Sequence, residues 1–564
     1  MAKLNKNNAY ASESADSFGG IDRTGLVGKL CEASDIHNFR ILPDGSLEKR
    51  EGYELIATLG APISAITPSP YDAATVYAAA GEFVYSISVA SGHAECLGRV
   101  PVSADGTDFF TLQGSLYLAT GHDIFAIDAY GNILRAEGYV PLMGSHWSEN
   151  GGEIFEPLNL LSRRVRINYL LDGEAYRLYT GLAAQNLDAL YVNGEAVRGG
   201  SIDGKYILLP AAFPTGTQVS VCLTLPSQSE IGEAEQLRSC PHAYTCRYGK
   251  ARDVLCFGGS EKQRIFRSRD ISADSAAASL AAYPDSMPIY FPAGTRIDTI
   301  VSGGIRAICG ESDCLIVFGE QDAHRITVQS EQRIPQTGGC PGKTAAIYNG
   351  SAVFAATSRG VISLGLRSGG GELISAPLCD IANDDFISRA ALAYDQKHNE
   401  LYVSDPLDGE GKQLVYNTSR CAWYVFDGIG AQKFFALSYA VGFVANSGIF
   451  MFSPHRTTDI TLGGSENTIL ARYVSRFSSL GRPDELKRLR RMRLACSGDG
   501  AVTVSVLDPS GLIGSLTCTP DEETDLHLYD KPLCSGRTCH IRLCLESTDN
   551  DHVRIHGVAL SAIK

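Results

Sequence analysis

The sequence predicts an all-β fold: a β-propeller with an inserted β-sandwich and a C-terminal β-sandwich. Three observations predict it. First, a short unit recurs, as Val76-Tyr77-Ala78-Ala79-Ala80-Gly81-Glu82-Phe83-Val84-Tyr85-Ser86-Ile87 and again as Leu116-Tyr117-Leu118-Ala119-Thr120-Gly121-His122-Asp123-Ile124-Phe125-Ala126-Ile127. The copies align without a gap, and Tyr77 to Tyr117 is 40 positions. Each is an apolar run, a glycine break and a second run rich in aromatic and β-branched residues, the pattern of two antiparallel strands and a tight turn. A period near 40 with about four short strands per repeat fits a propeller blade. Second, the same grammar returns at 254–266, 314–326, 352–364, 401–416 and 442–452, and the steps between strand centres 316, 354, 402 and 444 are 38, 48 and 42. Third, the chain holds 58 glycines in 564 residues and few helical patterns, with only about 484–492 reading as briefly helical. Turn-rich β-structure follows from that composition.

In chain order, residues 1–17 are polar and lack an apolar signal core, so a flexible arm is expected and secretion by that route is not. Residues 18–150 hold the first part of the propeller, opened by a hairpin at Pro43-Asp44-Gly45. The pattern stops at Gly144-Ser145-His146-Trp147-Ser148. Residues 151–235 leave the 40-residue period, and their strands near 164–169, 189–194, 205–209 and 219–223 alternate apolar and polar residues as in a small sandwich. Residues 236–465 return to the propeller. Residues 466–564 carry a basic run and then three alternating strands near 502–506, 540–545 and 553–558, a second sandwich.

The opening combines Gly19-Gly20-Ile21, then Asn38, then Gly45, Leu47, Arg50 and Gly52. In this order, ahead of propeller-like hairpins and with Trp423 and Tyr424 closing a later strand, it resembles the tail nozzle and tail-hub proteins of short-tailed bacteriophages. The resemblance implies a virion structural protein, located in the tail and assembled in the host cytoplasm. It implies a homo-oligomeric ring beneath the portal and adaptor, forming a channel that retains packaged DNA and passes it transiently. An acidic lumen would let DNA slide without sticking. The alternative reading is a carbohydrate-binding or carbohydrate-active propeller, and a third is a propeller scaffold for protein partners.

Composition narrows the chemistry. The net charge of −14 argues against non-specific attraction to nucleic acid or an acidic membrane. No apolar run reaches the ~18 residues of a membrane span. None of the 16 cysteines forms a Cys-x2-Cys knuckle, and several sit inside apolar strands, so reduced, buried thiols and no metal are expected. Thr337-Gly338-Gly339-Cys340-Pro341-Gly342-Lys343-Thr344 imitates a phosphate loop, but threonine stands at its first glycine position and a hairpin turn follows. Asp405, Asp408 and Glu410 gather beside two glycines, a set that suits a cation or a solvated turn. No serine elbow or zinc-hydrolase helix is present, and no catalytic or cofactor-binding residue is expected. One candidate contact site remains: Lys487, Arg488, Arg490, Arg491 and Arg493. It suits an acidic partner, whether a neighbouring subunit or DNA, or else a solvated face paired with the chain's own acids.

Overall fold

The computed structural model describes residues 10–102, 106–226, 232–248, 251–378, 380–408, 411–481, 483–520, 526–533 and 537–563. Among these, β-strands dominate, and the helices are short: Gly232–Arg238, Ala273–Ala282 and Asp384–Ser388. No helix among the described residues is long and apolar enough to cross a membrane. The chain divides into two compact units, one of residues 1–63, 88–93 and 334–564, the other of 64–87 and 94–333.

In the second unit the recurring hairpins form as the sequence dictates. Thr75–Ala80 and Phe83–Ser88 are neighbours in one four-stranded sheet, Ser115–Ala119 and Ile124–Ile127 in another. Their apolar faces meet in a cluster that includes Tyr77, Ala79, Val84, Phe109, Leu116, Leu118 and Ile127. Between residues 142 and 224 lies a two-sheet module. One sheet runs Leu142–Trp147, Arg164–Leu170, Gln218–Thr224, Asn186–Val192, Glu195–Ala196; the other joins Ala175–Tyr179, Tyr206–Phe213 and Ser201–Asp203. Alternation puts Val165, Ile167 and Tyr169 inside, against Leu178, Ile207, Val219 and Val221.

In the first unit, Gly52–Thr58 is the fourth strand of a sheet with Lys433–Ala436, Val441–Ala445 and Gly448–Ser453, which ties the chain's beginning to residue 450 and its neighbours. A nine-stranded sheet and a six-stranded sheet carry the C-terminal strands.

The all-β expectation meets an all-β chain, but the closed propeller is corrected. The strands fall into eleven sheets among the described residues, and none closes on itself. A propeller blade is a sheet of four strands. Here the set Ala391–Asp395, Glu400–Ser404, Gln413–Asn417, Ala422–Phe426 does not end. His37 bridges Val425 in parallel, and Ala33–His37 hands the sheet on to Ala471–Ser475, Arg542–Ser547, Val502–Asp508 and Gly511–Cys518. Two further expectations differ. Tyr10–Ala15, placed by the sequence in a flexible arm, is a strand paired with Val553–Ile563, while residues 1–9 of that arm lie outside the described residues. The helical reading of 484–492 fails because Arg488–Gly498 is an 11-residue strand. A β-bulge between Leu489 and Arg491 inserts one residue, so the buried positions run 489, 492, 494 and imitate a helical step of three.

Candidate functional site: an arginine-faced strand

The bulge also determines what the strand displays. Along a regular strand neighbouring side chains point to opposite faces. The extra residue breaks that alternation once, so Arg490 and Arg491 are both exposed, flanked by exposed Arg488 and Arg493. Leu489, Met492 and Leu494 are buried on the other side. Four of the five expected contact residues thus share one surface. Lys487 does not join them. It is 1% exposed, its ammonium donating to the carbonyls of Ser479 at 2.6 Å and Glu485 at 3.3 Å, a cation spent on fixing the loop that enters the strand.

Among the described residues, one carboxylate answers the row. Asp530, on the neighbouring strand His527–Pro532, lies 3.2 Å from Arg491 and 3.5 Å from Arg493. Arg488 and Arg490 have no carboxylate partner among the described residues. The other neighbour, Val553–Ile563, pairs Ser561 with Arg491 and Ala559 with Arg493, small residues that leave the guanidinium groups uncovered.

Elsewhere in the same unit charge is committed internally. Glu400 is fully buried and accepts hydrogen bonds from Arg40 Nε at 2.6 Å, the Tyr402 hydroxyl at 2.9 Å and the Tyr424 hydroxyl. Burial, with Glu400 adding its charge, raises both tyrosines well above their ordinary range. Asp395 receives His398 Nδ1 at 2.5 Å and the Lys397 amide at 2.8 Å; burial pushes its pKa up, but the His398 bond and charge hold it below the usual carboxylate range. Asp395, His398 and Glu400 are close enough to hold a metal ion. Their chemistry does not suit one, because Glu400 already takes three donors and Arg40 supplies the cation. His37 is clamped between Asp427 at 2.7 Å and Asp35 at 3.1 Å; burial pulls its pKa down, yet the two carboxylates raise it to about 9.

Three cavities border these groups. One of about 320 Å³ touches Asp395, His398 and Tyr402; one of about 440 Å³ touches His37, Arg389 and Asp405; one of about 510 Å³ touches Arg40, Lys49 and His552. Burial lowers Lys49 to about 8, against the opposing pull of Asp549 and Asp551. Of the cation cluster read from sequence, Asp405 is gripped by the Arg389 fork at 2.6–3.1 Å, and Glu410 lies outside the described residues. In the phosphate-loop imitation, Lys343–Ala345 make a single 3-10 turn followed directly by a strand, which offers no helix start for a phosphate.

The residues that carried the phage resemblance all have internal duties. A Cβ on Gly20 would lie 2.5 Å from the Trp423 backbone nitrogen, and one on Gly52 2.0 Å from the Thr458 carbonyl oxygen. Gly45 turns the hairpin at φ +87°. Asn38 accepts from Arg50 Nε at 2.8 Å and the Asp427 amide at 2.9 Å, while Arg50 forks onto Asp459 at 2.6 and 2.8 Å. Leu47 is buried and pairs with Ile555.

No family model matches the chain, and no curated protein matches it. Solved structures similar to it include BamB from Moraxella catarrhalis (9% identity, 74% of this chain and 95% of that one, TM-score 0.35) and the WD40 repeats of RRP9 (7%, 72% and 98%, 0.32). Sqt1 from Saccharomyces cerevisiae is a third (12%, 67% and 100%, 0.23). None of these three is a phage tail protein. TM-scores of this size assign neither family nor activity to the chain. The expected tail nozzle is corrected by the fold: no sheet among the described residues closes into a propeller or channel, and the signature residues pack the fold. The tail location, the portal and adaptor partners and the passage of DNA rested on that resemblance alone.

Proposed function

We propose that the chain is a non-catalytic docking scaffold whose arginine strand holds an anionic partner. One observation carries this reading: Arg488 and Arg490 stand exposed with no carboxylate partner among the described residues, in a chain whose acids outnumber its bases by 14. Some exposed arginines have local acids, as Arg99 has Glu82 at 2.5 Å and Arg306 has Glu320 at 3.2 Å, and others such as Arg163, Arg198, Arg252 and Arg269 are exposed singly with no carboxylate partner among the described residues; what sets Arg488 and Arg490 apart is that they stand in one row with Arg491 and Arg493. Arginine suits the task because its planar fork matches carboxylate and phosphate oxygens two at a time. The buried charged groups support the non-catalytic half of the reading, since their hydrogen-bonding capacity is spent on joining strands.

The test is retention on a carboxylate cation-exchange resin at pH 7. Mean charge predicts that the protein flows through, whereas a local arginine row retains it at low salt and releases it as ionic strength passes ~0.15 M, where the screening length is about 8 Å. Arg488→Glu/Arg490→Glu should flow through. Equal behaviour of the two proteins overturns the reading.

A further inference from the structure

We infer that the anionic partner is an extended acidic polypeptide segment, laid along the shelf beside the arginine row. This rests on the docking reading above and adds the partner's chemistry and conformation.

The shelf is set by register. Ser561 stands opposite Arg491 and Ala559 opposite Arg493. On the far side of the same strand Ser12 pairs with Ser561, and Ser14 with Ala559. Paired residues of antiparallel strands share a face, so beside the wall of Arg491 and Arg493 two adjacent strands present serine and alanine, while Ile563, paired with Tyr10, stands opposite Arg488. Strands lie about 4.8 Å apart, which makes the shelf about 10 Å wide, room for one extended chain.

The spacing of the wall fits the same occupant. Outward residues of a strand recur every ~6.8 Å, and the bulge arranges the four arginines as two such pairs, 488 with 490 and 491 with 493. An extended peptide with acids at alternate positions repeats at that same distance, so successive carboxylates meet successive guanidinium forks without bending either chain. Nucleic acid fits less well. Single strands are held by stacking bases on aromatic rings, and Ser12, Ser14, Ala559, Ser561 and the four arginines supply none. Duplex recognition inserts an element into a groove, and a flat sheet face projects nothing. The overall charge of −14 also opposes a dense polyanion more than a short acidic segment.

Asp530 is the internal competitor. By holding Arg491 and Arg493 it pre-orients their forks and lowers the positive potential that an incoming segment meets. Removing its charge should strengthen binding, an effect opposite in sign to that expected if Asp530 served only to keep the strand folded.

Fluorescence anisotropy at low salt tests the inference with four probes: a labelled peptide of alternating Glu and Ser, a peptide of the same composition with its acids in one block, a single-stranded oligonucleotide, and a duplex of equal charge. The alternating peptide should bind most tightly. Arg488→Ser/Arg490→Ser should weaken it about fivefold, equivalent to about 1 kcal/mol, and Asp530→Asn should tighten it, with far-UV circular dichroism unchanged in both. If an oligonucleotide outcompetes the peptides, the acidic-segment inference falls and the anionic-partner reading stands. Equal binding of the blocked and alternating peptides also removes the extended register. If no probe binds, or the arginine variant binds all of them as well as the parent, both fall.

Discussion

Replacing Glu400 by glutamine isolates the energetics of the buried network. The carboxylate is fully buried, and its charge is balanced by Arg40, itself 5% exposed, through a 2.6 Å bond from Nε. Glutamine keeps the shape; its one carbonyl oxygen can still accept from Arg40 and Tyr424, and its amide group would face the Tyr402 hydroxyl, which can turn to accept from it. What disappears is the countercharge. Breaking a buried pair from one side costs roughly 3–5 kcal/mol, because the remaining ion stays desolvated. Glu51 lies 3.9 Å from Arg40 and recovers part of that, so the expected loss is about 3 kcal/mol, the lower end of the range. Removing both charges in Arg40→Met/Glu400→Gln should restore at least ~2 kcal/mol relative to Glu400→Gln alone. Urea unfolding followed by tryptophan fluorescence reads this in a Trp147→Phe background. There the signal comes from Trp423, whose strand belongs to the same sheet as Glu400. A single variant within ~1 kcal/mol of its parent, or a double variant less stable than the single, would refute the reasoning.

Three further outcomes follow from the same geometry. His37 has a folded pKa of about 9 against an ordinary 6.5, so the stability it contributes is complete below pH 6.5 and is lost as pH rises toward 9; Asp427→Asn should flatten urea midpoints across that window, and an unchanged slope would contradict the clamp. Gly52→Ala should cost about 1–3 kcal/mol or prevent folding, since its Cβ would meet a backbone oxygen, while Gly430→Ala, with nothing within 4 Å, should be nearly neutral by the same unfolding assay. Thiol labelling with peptide mapping should modify Cys96 and Cys421 rapidly and Cys256 slowly among the described cysteines, because burial keeps the Cys256 thiol well above its usual range; fast labelling of Cys256 would contradict the packing.

Local structure was legible in the sequence wherever alternation and turn residues act within a few positions. The hairpins around Gly81 and Gly121 and the strands read near 164–169, 189–194, 205–209 and 219–223 follow from apolar runs broken by turn residues, whereas Leu142–Trp147, a strand, was read as a boundary because Gly144, Ser145 and His146 within it are small or polar. Closure was not legible. Whether Ala422–Phe426 ends a sheet or continues into one depends on Ala33–His37, nearly 400 positions away, and a repeat period carries no record of that pairing. The arginine cluster was visible as composition, while its display on one face depends on a bulge that helical spacing imitates. Asp530 was invisible because the pairing that brings it to Arg493 spans 37 positions, with two strands of another sheet between them. Asp395, His398 and Glu400 are near in sequence, yet the cation that neutralises Glu400 comes from position 40. The phage resemblance drew on glycines and an asparagine that the fold needs for close backbone approach and for hydrogen bonding, demands that unrelated β-proteins share.

The arginines of one strand, Arg488 and Arg490 among them without a carboxylate partner among the described residues, are proposed to hold an anionic partner. Isothermal titration of polyglutamate measures that binding most directly, comparing the parent with Arg488→Ser/Arg490→Ser and with Arg99→Ser/Arg306→Ser, which removes two arginines that already have carboxylate partners. The account predicts salt-sensitive binding that the first pair of substitutions weakens about fivefold and the second leaves nearly unchanged. Equal losses from both pairs, or binding indifferent to the first, would contradict it.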